Sequence, residues 1–289
     1  MGILDGKVAV ITGSTRGLGL AIAQAYAAEG AALVISSRSI ADVEKTVDLF
    51  KSAGVQAAGM AVNVGELAQV QALAELALKT FGKIDIWINN AGITGPYGPT
   101  AELQPGVFAG VVQTNIMGTY YGSVIALGVF KKQGGGKLIN MLGMGYNKPA
   151  PWQNVYGSSK VWIRHFTKAL AEEYKINPAI GIYALNPGMV LTDLLTHFEV
   201  ISGSESRLKV FPTIVRMWAK PGAVPARKAV WLASSATDGK TGVEGNVFSQ
   251  WVMLSGALRE GLRKLTGKKA PEGDIQMKVI DPWQPELKN

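Results

Sequence analysis

Tyr156 and Lys160 stand four residues apart, a spacing that sets a phenol and an ammonium on one face of a helix. A free tyrosine ionises at about pH 10, too high for easy proton exchange in neutral water, and a cation held beside it favours the phenolate and lowers that value. Such a pair can give a proton to a carbonyl oxygen or take one from an alcohol. A second constellation is Gly13-Ser14-Thr15-Arg16-Gly17-Leu18-Gly19, placed between an apolar run and a helical stretch. Glycines there let the backbone turn sharply and approach a phosphate, and the helix start offers free N–H groups to a pyrophosphate. Either pattern alone is weak, because Tyr and Lys four apart mostly mark a solvated helix face. Together, and with a strand before and a helix after the glycines, they point to hydride exchange with a nicotinamide dinucleotide.

The end of the second apolar run decides between the two nicotinamide cofactors. An acidic residue there would take the ribose 2′-hydroxyl and repel a 2′-phosphate. The chain has Ser36-Ser37-Arg38 instead. Arg38 can pair with a phosphate dianion, and Arg16 can reach the same region, so the expected cofactor is NADP(H) rather than NAD(H).

With these residues placed, the chain resembles the short-chain dehydrogenase/reductase (SDR) family over roughly residues 5–250. The resemblance rests on TGxxxGxG at 12–19, Asn89-Asn90-Ala91-Gly92, YxxxK at 156–160 and Asn186-Pro187-Gly188, in the family's order and spacing. It implies that Asn90, Ala91 and Gly92 support the sheet and the adenosine ribose. Asn63, followed by Val64, stands where an aspartate usually meets the adenine. Pro187, Gly188, Val190 and Thr192 would cover the nicotinamide and hold its carboxamide. Lys160 would also hydrogen-bond the nicotinamide ribose, and Asn115 matches an asparagine that holds a proton-supplying water. The resemblance further implies a homodimer or homotetramer, with residues 102–132 and 154–176 at the interface.

One position departs from the family. A serine that hydrogen-bonds the substrate oxygen usually stands thirteen residues before the tyrosine, and here that place is Gly143, within a run (140–145) that has no hydroxyl. Losing one such donor costs about 10²–10³ in rate, which weakens catalysis without abolishing it. Tyr146, Asn147 or Gln153 in the following loop could supply a substitute. Alternatively, the missing Cβ could make room for a larger substrate. Met144 and Trp152 are further candidates for the pocket wall.

The elements that must hold these groups are legible as alternating runs. Apolar segments at Lys7–Thr12, Ala32–Ser36, 57–62, Ile84–Asn89, Lys137–Leu142 and Ile180–Asn186 alternate with helical spacing at 17–29, 41–53, 66–81, 102–132 and 154–176. This predicts an α/β fold: one Rossmann-type, doubly wound parallel sheet between two helix layers, with its ligand beyond the carboxyl ends of the strands. Residues 1–255 form the expected dinucleotide-binding and catalytic domain. The apolar, irregular stretch at about 193–222 is its expected substrate lid, and 256–289 a basic extension.

Composition narrows the remaining classes. The 289 residues include no cysteine, so disulfides, thiolate metal sites and cysteine nucleophiles are excluded. The two histidines, His165 and His197, are too few and too far apart for a His-based metal site, and neither is expected in the mechanism. The net charge is +8, but the one cluster, Arg259, Arg263, Lys264, Lys268 and Lys269, lacks interleaved aromatics. It reads as a solvated tail rather than a nucleic-acid surface. No apolar stretch reaches the length of a membrane span, no leader pattern opens the chain, and a cytoplasmic protein is expected. The expected function is NADPH-dependent reduction of a hydrophobic carbonyl compound, or the reverse oxidation. Reduction of an imine or activated C=C bond, and a catalytically weak NADPH-binding sensor or scaffold, stand as alternatives.

Overall fold

In the computed structural model, residues 2–248, 250–266 and 275–285 are described. The first half runs β1 (Val8–Thr12), α1 (Gly17–Ala28), β2 (Ala32–Ser37), α2 (Ile40–Ser52), β3 (Ala57–Ala61), α3 (Leu67–Phe81) and β4 (Ile86–Asn89). There follow α4 (Pro105–Val111), a wide helical turn (Val112–Met117), α5 (Gly118–Gln133), β5 (Gly136–Met141), α6 (Asn154–Glu173) and β6 (Ile180–Asn186). The rest is α7 (Asp193–Thr196), β7 (His197–Ile201), α8 (Phe211–Trp218), α9 (Ala223–Ala233), β8 (Glu244–Asn246), α10 (Gln250–Leu265) and β9 (Gln276–Ile280).

Seven strands form one parallel sheet in the order β3-β2-β1-β4-β5-β6-β8, as the alternating pattern predicts. The reason is visible in the strands themselves. β1 (VAVIT) is buried along its whole length, so helices must cover both faces. α1, α2 and α9 close one face around Ile11, Ile22, Leu33 and Ile35. α3, α5 and α6 close the other around Val10, Leu73, Trp87 and Phe130. The order reverses between β1 and β4, which opens the crevice where an α/β sheet binds its ligand.

Three elements differ from the sequence pattern. The helical stretch 102–132 is broken by the wide turn at Val112–Met117, which carries Asn115. Such turns insert a residue into the regular ladder and often stand at functional sites. The lid is not irregular: it contains α7, β7 and α8. The stretch expected as a basic extension after residue 255 carries regular structure of its own. α10 runs across that position, and β9 pairs in parallel with β7, from His197↔Gln276 to Ile201↔Ile280. A partner some 80 residues away in sequence leaves no local trace in either segment. Lys268 and Lys269 lie outside the described residues.

Candidate active site

The glycine turn follows directly from β1. Gly13 (φ 64°) takes a left-handed conformation that glycine adopts without strain, and a Cβ there would press on Ala91 Cα at 3.0 Å. At Gly19 a Cβ would collide with Gly13 O and with Asn90 Nδ2, so the start of α1 packs flush against the turn. Thr12 Oγ1 accepts from the backbone N–H groups of Asn90 (3.0 Å) and Ala91 (3.1 Å), and Asn90 Nδ2 donates to Thr12 O (2.9 Å) and Gly13 O (3.0 Å). These bonds lock the Asn90–Gly92 segment to the turn, a bare backbone cradle of the kind a pyrophosphate needs. The residues fit a dinucleotide there, because bulkier side chains would fill the space.

Each predicted cofactor residue has a definite place. Ser14 is fully buried and its hydroxyl donates to Ile11 O (2.7 Å), so its side chain builds the turn and faces away from any ligand. Thr15 and Leu18 are half-buried beside it. Val64 packs under Gly118, leaving only its backbone for a ligand, and Asn63 Oδ1 accepts from Gly65 N (3.1 Å). Ser37 bonds within its own turn to Ser39. Arg38 is exposed and has no hydrogen bond or ion pair among the described residues, whereas Arg16 turns toward the lid and meets Asp193 at 3.7 Å. Both partners of that pair are exposed, so it contributes little. On the far wall Pro187 is buried, Gly188 (φ 69°) backs onto Phe248, and Val190 is pinned by exchange between Lys220 and the backbone of Met189 and Leu191. Thr192 Cγ2 lies over Gly17, within 3.3 Å of where a Cβ would stand, so the lid meets the glycine turn across the crevice.

The residues expected to be catalytic gather where β5 ends and α6 begins. Lys160 is buried, and its Nζ donates to Met141 O (3.1 Å) at 5.4 Å from the centre of the Tyr156 ring. Asn115 is fully buried: Oδ1 accepts from Ile93 N (2.9 Å) while Nδ2 donates to Ile93 O (2.9 Å) and Ser159 Oγ (3.0 Å). It therefore braces α6 and the Gly92–Ile93 loop against the wide turn. The expected lowering of the Tyr156 pKa is corrected by the structure. Burial pushes the phenol up to about 12 and, by the same loss of water, pushes the Lys160 ammonium down to about 8.

Gly143 has a role that the sequence did not reveal. A Cβ at this position would fall on Tyr156 Oη, far inside van der Waals contact, with Tyr156 Cζ at 3.1 Å and Lys160 Cε at 3.4 Å. The tyrosine hydroxyl has taken the volume that a serine side chain would need. Of the expected substitutes, Tyr146 turns away, with its Oη at 3.4 Å from Asn246 Oδ1 and Arg164 over its ring. Asn147 and Met144 are exposed. Gln153 is buried and its Nε2 reaches only Gly95 O, at 3.5 Å, a long contact that leaves a donor to spare. Trp152 has φ 69°, unusual for a bulky residue, and is clamped by Arg207 of the lid at 3.9 Å from its ring. His165 and His197 are both exposed, the latter bonded to Thr196.

Sequence reasoning missed the polar support behind the site. Asn89 Nδ2 donates to Asn140 Oδ1 (2.8 Å), Ser123 Oγ (3.1 Å) and Thr119 O (3.2 Å), and Asn140 Nδ2 donates to Thr167 Oγ1 (3.0 Å). Two asparagines inside otherwise apolar strands were the available signal, since a buried amide must be bonded. A recess of about 550 Å³, lined by residues such as Asp5, Gly30 and Lys83, opens at the other end of the strands. It lies away from every group just described, and a parallel sheet presents its chemistry at the carboxyl ends.

A doubly wound sheet, a bare glycine cradle at its switch point and a half-buried tyrosine paired with a buried lysine beside it define an oxidoreductase that uses a nicotinamide dinucleotide. The short chain dehydrogenase family matches residues 7–199, and the chain belongs to that family. It is 30% identical over 241 residues to glucose 1-dehydrogenase 2 of Bacillus subtilis, covering 83% of this chain and 92% of the relative. Among solved structures it resembles the 3-ketoacyl-(acyl-carrier-protein) reductase of Brucella melitensis complexed with NADH. The TM-score is 0.75 at 33% identity, over 84% of this chain and 97% of the other. It also resembles a point variant of the actinorhodin polyketide ketoreductase with NADPH, with a TM-score of 0.76 at 27% identity, over 86% and 97% of the two chains.

Proposed function

We propose that this chain is an NADPH-dependent reductase that converts a carbonyl of a hydrophobic substrate to the alcohol, with Tyr156 as the proton donor. The observation that carries this reading is the placement of the phenol, half-buried against Gly143 with the Lys160 ammonium 5.4 Å from the centre of its ring. Burial pushes its pKa up to about 12, so the phenol carries its proton through the physiological range, and Lys160 is the group that eases its release. The bound dinucleotide would supply the hydride to the carbonyl carbon. Tyr156 gives its proton to the carbonyl oxygen as the C–O bond loses double-bond character. Lys160, fixed by Met141 O, stands near enough to favour the phenolate left behind, and Asn115 keeps α6 in register through Ser159.

Three further observations support the finer parts. Arg38, at the end of β2, has no ion-pair partner among the described residues and no acid next to it in sequence, which favours a 2′-phosphate. The lid is apolar, with Phe198 edge-on to Phe211 at 5.3 Å and Val200 and Val215 buried, which suits a hydrophobic substrate. Exposed Phe108, Tyr120, Val124 and Val161 on α4, α5 and α6 suit a homodimer or homotetramer. The test is NADPH and NADH consumption over a panel of hydrophobic ketones, enones and cyclic imines. Turnover of ketones with NADPH preferred is expected. Turnover confined to enones or imines, or an equal rate with NADH, would overturn the corresponding part.

A further inference from the structure

α10 buries one side against the lid helix and turns a continuous apolar stripe outward. On the inner side, a Cβ at Gly256 would collide with Met217 O, Trp218 Nε1 donates to Met253 O (3.2 Å), and Arg259 donates to Met217 O (3.0 Å). Glu260, the helix's one carboxylate, is buried there between Arg263 (2.8 Å) and Arg216 (3.4 Å). On the outer side Trp251, Leu254, Leu258, Leu262 and Leu265 follow one another at helical spacing, and their exposure runs from 53% at Leu262 to 85% at Leu265. Single exposed leucines are ordinary, but five apolar residues in line on one helix mark a contact surface.

Charge selects what covers it. The lid segment from Arg207 to Lys220, on which α10 rests, carries Arg207, Lys209, Arg216 and Lys220 and no carboxylate. α10 adds the exposed Arg259 and, with Arg263, a second cation beside Glu260, so that one buried carboxylate faces both Arg216 and Arg263 and the region keeps a net positive charge. A second copy of the same face would bring cation against cation. A surface that is apolar within and anionic at its edge complements both features, as an anionic lipid bilayer does.

We propose that α10 is an interfacial helix that docks the protein on an anionic membrane surface, with the Trp251–Leu265 stripe entering the headgroup boundary. No described helix is long and apolar enough to cross a membrane, so the contact is peripheral. Because α10 is fastened to α8, docking would hold the lid at the bilayer, where a lipid-soluble substrate is concentrated. This inference stands whether or not the carbonyl reading holds.

The test is flotation of the full chain with phosphatidylcholine vesicles, with and without phosphatidylglycerol, at low and high salt. The comparison protein is Leu254→Ser/Leu258→Ser/Leu262→Ser, whose positions are exposed and outside the catalytic group. The wild type is expected to float with the phosphatidylglycerol vesicles, less so at high salt, and the triple variant to lose binding about tenfold or more. Circular dichroism should show the variant folded. Absence of vesicle binding, or equal binding by the variant, would overturn the proposal. So would a fall in oligomeric mass in the variant without vesicle binding, which would assign the stripe to a second copy.

Discussion

Restoring the family's serine at position 143 should harm the enzyme rather than improve it. By chemistry alone, Gly143→Ser adds a donor worth about 10²–10³ in rate. The structure puts Tyr156 Oη where the new Cβ must go, with Tyr156 Cζ at 3.1 Å and Lys160 Cε at 3.4 Å from it. Bringing these atoms to ordinary contact needs a shift of about 1 Å in the phenol. A 1 Å misplacement of a reacting group costs about 10²-fold, and overpacking of this kind costs about 1–3 kcal/mol of stability. Gly143→Ala isolates the steric effect and should lower kcat about 10²-fold with a small loss of Tm. Gly143→Ser should fall between Gly143→Ala and wild type, since its hydroxyl recovers part of the loss. The assay is the initial rate of NADPH consumption on a ketone the wild type reduces, with thermal unfolding alongside. If Gly143→Ala matches the wild type, or Gly143→Ser exceeds it, Tyr156 moves aside freely and the reasoning fails.

Other expected outcomes follow from the same groups. Burial lowers the Lys160 pKa from 10.5 to about 8, so the native state binds fewer protons than the unfolded one. The penalty is present in full below about pH 8 and fades as pH rises toward 10.5, and removing it is worth about 3 kcal/mol less about 1 for the lost bond to Met141 O. Lys160→Met should thus be inactive yet more stable at neutral pH, by thermal or denaturant unfolding; a destabilised variant would contradict the assignment. In the wild type, kcat/KM for reduction should fall as pH rises through about 8, where Lys160 loses its charge, and a profile flat to pH 10 would count against it. Arg38→Asp should weaken NADPH binding about 10–100-fold while sparing NADH, as read by fluorescence titration; equal loss of both would remove Arg38 from the 2′-phosphate site.

The sheet and the cofactor turn were readable because their signals are local. Buried parallel strands are short apolar runs, and Gly13, Gly17 and Gly19 mark a turn that tolerates no Cβ. The lid and the carboxyl-terminal segment were not readable for the opposite reason. β7 and β9 become strands by pairing with each other, with Tyr97 bridging to β7 on its other side, and α10 is shaped by the lid it rests on. Asn115 was found by family resemblance, but the wide turn that carries it has no side-chain signature. The sign of the Tyr156 shift was misjudged because spacing reports a neighbouring charge and says nothing of how much water surrounds it. Gly143 was seen as an absence, whereas the volume it leaves to the phenol depends on the crossing of β5 and α6.

The central claim is that Tyr156 is the proton donor of an NADPH-dependent carbonyl reduction, and its most direct test compares wild type with Tyr156→Phe on one reducible ketone. The account predicts a fall in kcat of about 10²–10⁴ with NADPH affinity unchanged. A Tyr156→Phe enzyme that keeps the wild-type rate would contradict it.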